Sequence, residues 1–256
     1  MTQSEFDSSA PPDVAPAMDF EVAQRAVFED IASRYDTRFM RSRWPRNVEA
    51  RVRLIERVLG SVLSRRILEI GCGTGQMGES LLDRNPSLRY VGVDLSEGML
   101  DIARIRTDRF QQRVELRQVV GQLPLEPLSC DGGFGVDVLH HIERPIEILT
   151  QLREALVPGG SIVFLEANPR FPVTAALGVF QRHERGVLGI SRKSLAKWAS
   201  EAGFVDVKTA WGPVYTPPAP SALIPALDRV DNLCAAVPGL RSLALHVVLQ
   251  GRRPLE

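Results

Sequence analysis

The chain has 256 residues, 44% of them hydrophobic, with no formal net charge, so it can bury a full core and offers nucleic acid no electrostatic attraction. No apolar run is long enough to span a membrane, and the first residues lack the basic and apolar regions of a signal or transit peptide, so a cytoplasmic protein is expected. Cys72, Cys130 and Cys234 are far apart and odd in number, which fits reduced thiols and gives no metal-ligand spacing.

Residues 1–18, with Pro11, Pro12 and Pro16 among small and acidic residues, read as a tail, and residues 19–256 as a single domain. Between Arg25 and Arg66 there are 11 arginines and 5 acids. Val48, Val52, Ile55 and Leu59 fall at core spacing within this stretch, so most of the arginines read as a solvated helical face. The group Arg38, Arg41, Arg43 and Arg46 around Trp44 could instead receive an anion.

Residues 67–75 read Ile-Leu-Glu-Ile-Gly-Cys-Gly-Thr-Gly, an apolar strand entering three alternate glycines, and a second apolar strand ends at Asp94, 19 residues later. A turn of this kind lets the backbone approach a nucleotide-like ligand, and an acid at the tip of the next strand can accept ribose hydroxyls. The dinucleotide pattern would need glycine three residues after Gly73, where Gln76 stands. Glu69 would repel a pyrophosphate and favour a cationic ligand, so S-adenosylmethionine (SAM) fits better than NAD or FAD.

Strand and helix signals alternate beyond Asp94, as in a parallel sheet covered on both faces. Ser96 caps a helix carrying Leu100 and Ala103. A glycine-rich strand reaches Val138, residues 145–157 form a helix stopped at Pro158, and Ser161–Leu165 form the next strand. Ser191–Ala202 form a helix ended by Gly203, and Leu243–Leu249 a last strand.

In order, these motifs resemble the class I SAM-dependent methyltransferases, and within them the group that includes the ubiquinone and menaquinone methyltransferases. The likeness runs from about residue 24 to 210, through the segment ending Tyr35-Asp36, Glu69 to Gly75, Tyr90 to Ser96, Leu123-Pro124, Asp137 to Ile142, Leu156 to Gly160 and Ile162 to Glu166. It implies a Rossmann-like sheet of seven mostly parallel strands, with helices on both faces, an antiparallel edge strand and N-terminal helices. It also implies that Gly71, Cys72, Gly73 and Gly75 face the methionyl end, that Asp94 binds the ribose, and that Leu95 and Met99 flank the adenine. Gly135 and Val136 would line the transfer channel and Tyr35 would close over the cofactor. Relatives have Gly-Asp-Ala where this chain reads Gln118-Val119-Val120, so Val119 cannot accept the adenine amino group as their acid does, and Gln118 or a backbone carbonyl would have to substitute.

Methyl transfer needs little from side chains beyond positioning, yet an acceptor must lose a proton. His140 and His141 are base candidates, followed by Glu166, all at strand ends; the other reading is that one histidine is a helix-entry residue and that Glu166 only orients a neighbour. His183 and His246 read as surface or core residues. Apolar insertions near 168–190 and 211–240 read either as a lid over a prenylated, aromatic or lipid-like acceptor, or as added core or a homodimer surface. The acceptor would then be methylated on oxygen or carbon, and a prenyl diphosphate would give the Arg38–Arg46 group a role. A SAM-binding protein without methyl transfer and a protein methyltransferase are the alternatives.

Overall fold

The computed structural model describes residues 20–39, 45–119, 121–212, 229, 233 and 236–256. Two helices come first, α1 (Phe20–Phe39) and α2 (Pro45–Leu59). Then follow β1 (Arg66–Ile70), α3 (Gln76–Arg84), β2 (Arg89–Asp94), α4 (Glu97–Thr107), β3 (Val114–Gln118) and β4 (Cys130–Val136). The second half holds α5 (Pro145–Ala155), β5 (Leu156–Ala167), α6 (Pro172–Phe180), α7 (Arg192–Glu201), β6 (Val205–Trp211) and β7 (His246–Arg252).

The strands form one sheet in the order β3-β2-β1-β4-β5-β7-β6. Pairing is parallel from β3 to β5, whereas β7 runs against both β5 and β6 and lies one place inside the edge. The order reverses between β1 and β4, the position at which open α/β sheets leave a cleft at their carboxyl ends.

Strand periodicity sorts the core into two layers. Leu68, Ile70, Val91, Val93, Ile162 and Phe164 face one side, where Leu149 and Leu152 of α5 and Leu195 and Ala199 of α7 cover them. Ile67, Tyr90, Val163 and Leu165 face the other, against Val52 and Ile55 of α2 and Leu81 of α3. The core spacing read in α2 holds: Val48, Val52, Ile55 and Leu59 are all buried.

Ser96 caps α4, its hydroxyl accepting the Met99 N–H at 3.1 Å, and Ser191 caps α7 reciprocally with Ser194. The helix expected to run to residue 157 ends at Ala155, and β5 starts at Leu156, because Leu156 pairs with Cys130 ahead of a bulge in β5, whose residues 156–161 stand opposite residues 130–132 of β4. Trp211 ends β6 rather than opening an insertion; its ring lies between the guanidinium groups of Arg170 and Arg192, at 5.5 and 5.6 Å. Cys72 and Cys130 are free and buried, while the tail expected over residues 1–18, most of the insertion expected near 211–240, Cys234, Val120, Trp44 and the side chains of Arg38, Arg41, Arg43 and Arg46 lie outside the described residues. Among the described residues no helix is long and apolar enough to cross a membrane.

Gly78 in α3 packs against the ring of Tyr90, and a Cβ there would lie 2.4 Å from Tyr90 Cζ. Intrinsic helix propensity favours alanine over glycine, but this contact reverses the sign. Gly78→Ala is expected to destabilise the protein by about 1–3 kcal/mol in urea unfolding. An unchanged or increased stability would show that the helix can move away from Tyr90.

Candidate active site

The carboxyl ends of β1, β2, β4 and β5 open into a cavity of about 520 Å³, roofed by α1 and by the α6 insertion. One half of the cavity belongs to the glycine turn. Gly71, Gly73 and Gly75 all adopt positive φ, at 67°, 51° and 77°. The Gly71 and Cys72 N–H groups both donate to Val93 O, and the Gly73 N–H donates to Asp94 Oδ2 at 2.8 Å. Asp94 Oδ1 accepts the Ser96 N–H at 3.0 Å. Burial pushes the Asp94 carboxyl upward, and these backbone donors oppose it.

Of the residues proposed from sequence for this half, Tyr35, Gly71, Gly73, Asp94, Leu95, Met99, Val119 and Val136 line the cavity. Glu69, Cys72, Gly75 and Gly135 do not, and each has a packing reason. Glu69 points into the layer beneath, where its carboxylate accepts the Tyr90 hydroxyl at 2.5 Å, and burial raises its pKa to about 8 despite that bond. Cys72 packs over Gly92, Gly75 faces Ala103, and Gly135 makes room for Phe164 and Val138. Gln118 turns its amide to Leu95 O, at 3.0 Å.

Helix α1 is held over this half by two acids. Asp36 accepts from Thr74 Oγ1 at 2.6 Å, from Gln76 Nε2 at 2.9 Å and from Arg106. Glu29 accepts the Ser96 hydroxyl at 2.7 Å and the Gly98 N–H at 3.0 Å, at the N-terminus of α4, where a carboxylate is favoured. The cap is therefore tied to the two segments that line the cavity beneath it.

The three base candidates differ in environment. Glu166 is fully buried and lies outside the cavity wall; it accepts the Val138 and Leu139 N–H groups at 3.1 and 2.9 Å and His140 Nδ1 at 2.7 Å. With its carboxylate so engaged it orients His140 and does not meet an acceptor. His140 stands between Glu166 and Glu184, whose Oε2 is 3.4 Å from Nε2. Burial would lower its pKa, but hydrogen bonds to the two carboxylates outweigh this and raise it to about 10. His141 is the opposite case: burial and the neighbouring His140 lower its pKa to about 3. Its Nδ1 donates to His183 O at 3.1 Å, leaving Nε2 with a lone pair. His140, His141 and Glu184 bring their ligating atoms within 4.8 Å of one another.

A second polar group in the wall was passed over in the sequence. Arg51 of α2, Asp137 just beyond β4 and His246 at the start of β7 meet there. Arg51 Nη2 donates to Asp137 Oδ2 at 2.8 Å and to His246 Nε2 at 2.9 Å. Burial would raise the Asp137 carboxyl, but Arg51 holds it far below the usual carboxylate range. Asp137 also adopts φ 51°, rare for a residue with a side chain. Phe171, Val173 and Leu177 of the insertion and Leu245 supply an apolar surround.

A family profile described as a methyltransferase domain matches residues 68–162. The ubiquinone biosynthesis O-methyltransferase of Pseudomonas aeruginosa is 27% identical over 217 residues, covering 76% of this chain and 88% of that protein. The profile and this relative support a class I SAM-dependent methyltransferase. Its fold is shared with phosphoethanolamine N-methyltransferase 2 of Haemonchus contortus in complex with SAM, at 19% identity and a TM-score of 0.66, over 93% of this chain and 61% of that one. It is shared also with the geranyl diphosphate C-methyltransferase of Streptomyces coelicolor, at 14% identity and a TM-score of 0.59, over 93% and 100% of the two chains. The methyltransferase thus spans about three fifths of the Haemonchus protein.

The raised pKa of His140 has a thermodynamic consequence. A histidine that binds its proton more tightly when folded stabilises the protein fully below its unfolded pKa of about 6.5, and that stability is lost as pH rises through the folded value. The unfolding free energy is expected to fall between about pH 6.5 and pH 10, with the slope reduced in His140→Gln. A flat profile common to both proteins would mean that His140 is neutral.

Proposed function

We propose that the cavity holds SAM in the half bounded by Gly71, Gly73, Asp94, Leu95, Met99 and Val119, under Tyr35 of the cap, and a small, partly apolar acceptor in the half bounded by α6. The observation that carries the cofactor half is Gly73. A Cβ built there meets no protein atom within 4 Å and points into the cavity beside Asp94, so the missing side chain leaves room that a ligand can use. Asp94 retains lone pairs for the ribose hydroxyls, because each of its oxygens takes one backbone N–H from a neighbouring residue. Bound there, the cofactor supplies a methyl group already activated by its sulfonium charge.

The acceptor half sets the apolar side chains of Phe171, Val173, Leu177 and Leu245 beside a few converging polar groups, Arg51, Asp137 and His246 among them, the mixture expected for a small-molecule site. The relatives agree in kind: one is named for ubiquinone biosynthesis and another for geranyl diphosphate, both molecules with apolar parts. Residues 19–256 act as one domain on this reading, with α6 and the segment after it, Arg182–Gly189, as the lid. Neither histidine of the pair serves as a strong base near neutral pH: His140 already carries its proton and His141 binds one poorly. Catalysis then rests mainly on positioning the acceptor in line with the methyl group.

Gly73→Val tests the cofactor half. Because a Cβ at that position meets no protein atom, the variant is expected to fold, though strained at φ 51°, and to lose S-adenosylhomocysteine binding in calorimetry, whereas the wild type binds it at micromolar affinity. Undiminished binding would remove the assignment. Release of S-adenosylhomocysteine on addition of prenylated or aromatic hydroxyl compounds would establish transfer.

A further inference from the structure

The acceptor half is apolar except at a few points, and one of them has a definite hydrogen-bonding sense. Arg51 and His246 both line the cavity, and Asp137 lies between them. Asp137 Oδ1 stands 3.5 Å from His246 Nε2, and among the described residues it has no hydrogen-bond partner. The two atoms are brought together by Arg51 Nη2, which donates to Asp137 Oδ2 and to His246 Nε2. A guanidinium can only donate, so Nε2 must carry the lone pair and the imidazole proton must sit on Nδ1. That nitrogen has no partner among the described residues. Both contacts of Arg51 use Nη2; Nε is unpartnered but fully buried, so Nη1 is the part of the fork left for a ligand. The carboxylate of Asp137 is already balanced by Arg51. Asp137 Oδ1, though unpartnered, is fully buried, so what the cluster can still offer a ligand is donors: the Nδ1–H of His246 and Nη1 of Arg51.

We infer that Arg51 and His246, held in place by Asp137, form a subsite for an oxygen atom of the acceptor, which they recognise by donating hydrogen bonds to it. The ligand class is an apolar or aromatic body bearing an oxygen that accepts strongly, as a phenolate or a carboxylate does. Charge-assisted bonds from a guanidinium to such an oxygen are the strong kind, and in a chamber with an apolar surround they also fix which end of the molecule faces the methyl group. The backbone of Asp137 supports this placement. Its N–H donates to Leu165 O at 2.8 Å, which ties the strained turn after β4 to β5, and strain of this sort collects at functional sites. The inference rests on the methyl-transfer reading above and adds two specificity-determining residues to it.

The test uses three probes of one shape, 4-hexylbenzoate, 4-hexylphenol and hexylbenzene, titrated into the full chain with saturating S-adenosylhomocysteine. The oxygenated probes should bind more tightly than hexylbenzene, and Arg51→Met should weaken at least one of them 10-fold or more while leaving hexylbenzene within about twofold. Preference for the benzoate or for the phenol names the source of the oxygen. Because Arg51→Met leaves Asp137 unpaired and could unfold the protein, His246→Phe is a second variant: it keeps the ring and removes Nδ1–H, and His246→Asn should restore part of the loss. Nitrogen-15 spectra of the resting protein should show His246 neutral with its proton on Nδ1. A proton on Nε2, or binding of the three probes that does not discriminate among them, overturns the subsite. Failure of the wild type to bind S-adenosylhomocysteine would instead remove the underlying function.

Discussion

A buried carboxylate organises one wall of the cavity. Glu166 sits at the end of β5 with no exposure, and it takes up the Val138 and Leu139 N–H groups together with His140 Nδ1. A turn leaving a strand exposes backbone donors that have no ladder partner, and orphaned donors in a dry interior are costly. One side chain satisfies two of them and a ring nitrogen besides. The path of residues 137–141 follows from it, and with that path the positions of Asp137, His140 and His141.

Two neighbouring histidines end in opposite protonation states for reasons of position alone. His140 lies between two acids, whereas His141 has a carbonyl on one side, the edge of the Phe28 ring at 5.0 Å on another, and a charged imidazole 4.0 Å away. Like charges at that distance cannot both be held in a low-dielectric site, so protonating one excludes the other. The surroundings thus favour the proton on His140 and disfavour it on His141.

Much of this was legible in the sequence, and the failures have physical causes. The glycine turn, Asp94 and the Ser96 cap rest on local geometry, and local geometry is what a short motif encodes. Glu69 was read as facing the ligand because it lies two residues before the first glycine. Strand alternation places it with Ile67 rather than with Leu68 and Ile70, on the face where Tyr90 waits. Arg51 was grouped with the solvated arginines of α2, although it falls three residues after Val48 and four before Ile55, on the buried face. His246 and Glu166 could not be settled from pattern. Their partners are distant in sequence, 195 residues for the Arg51–His246 contact and 26 for the Glu166–His140 contact, so the meaning of each side chain appears only when the chain closes.

The carbonyl of His183 accepts both Gln24 Nε2 from α1 and His141 Nδ1 from the floor, each at 3.1 Å. The roof over the glycine turn and the roof over the apolar chamber therefore share one oxygen atom. Neither can lift without disturbing the hydrogen bonds of the other. On the function proposed above, exchange of the spent cofactor and departure of the product would then be mechanically linked through that one carbonyl.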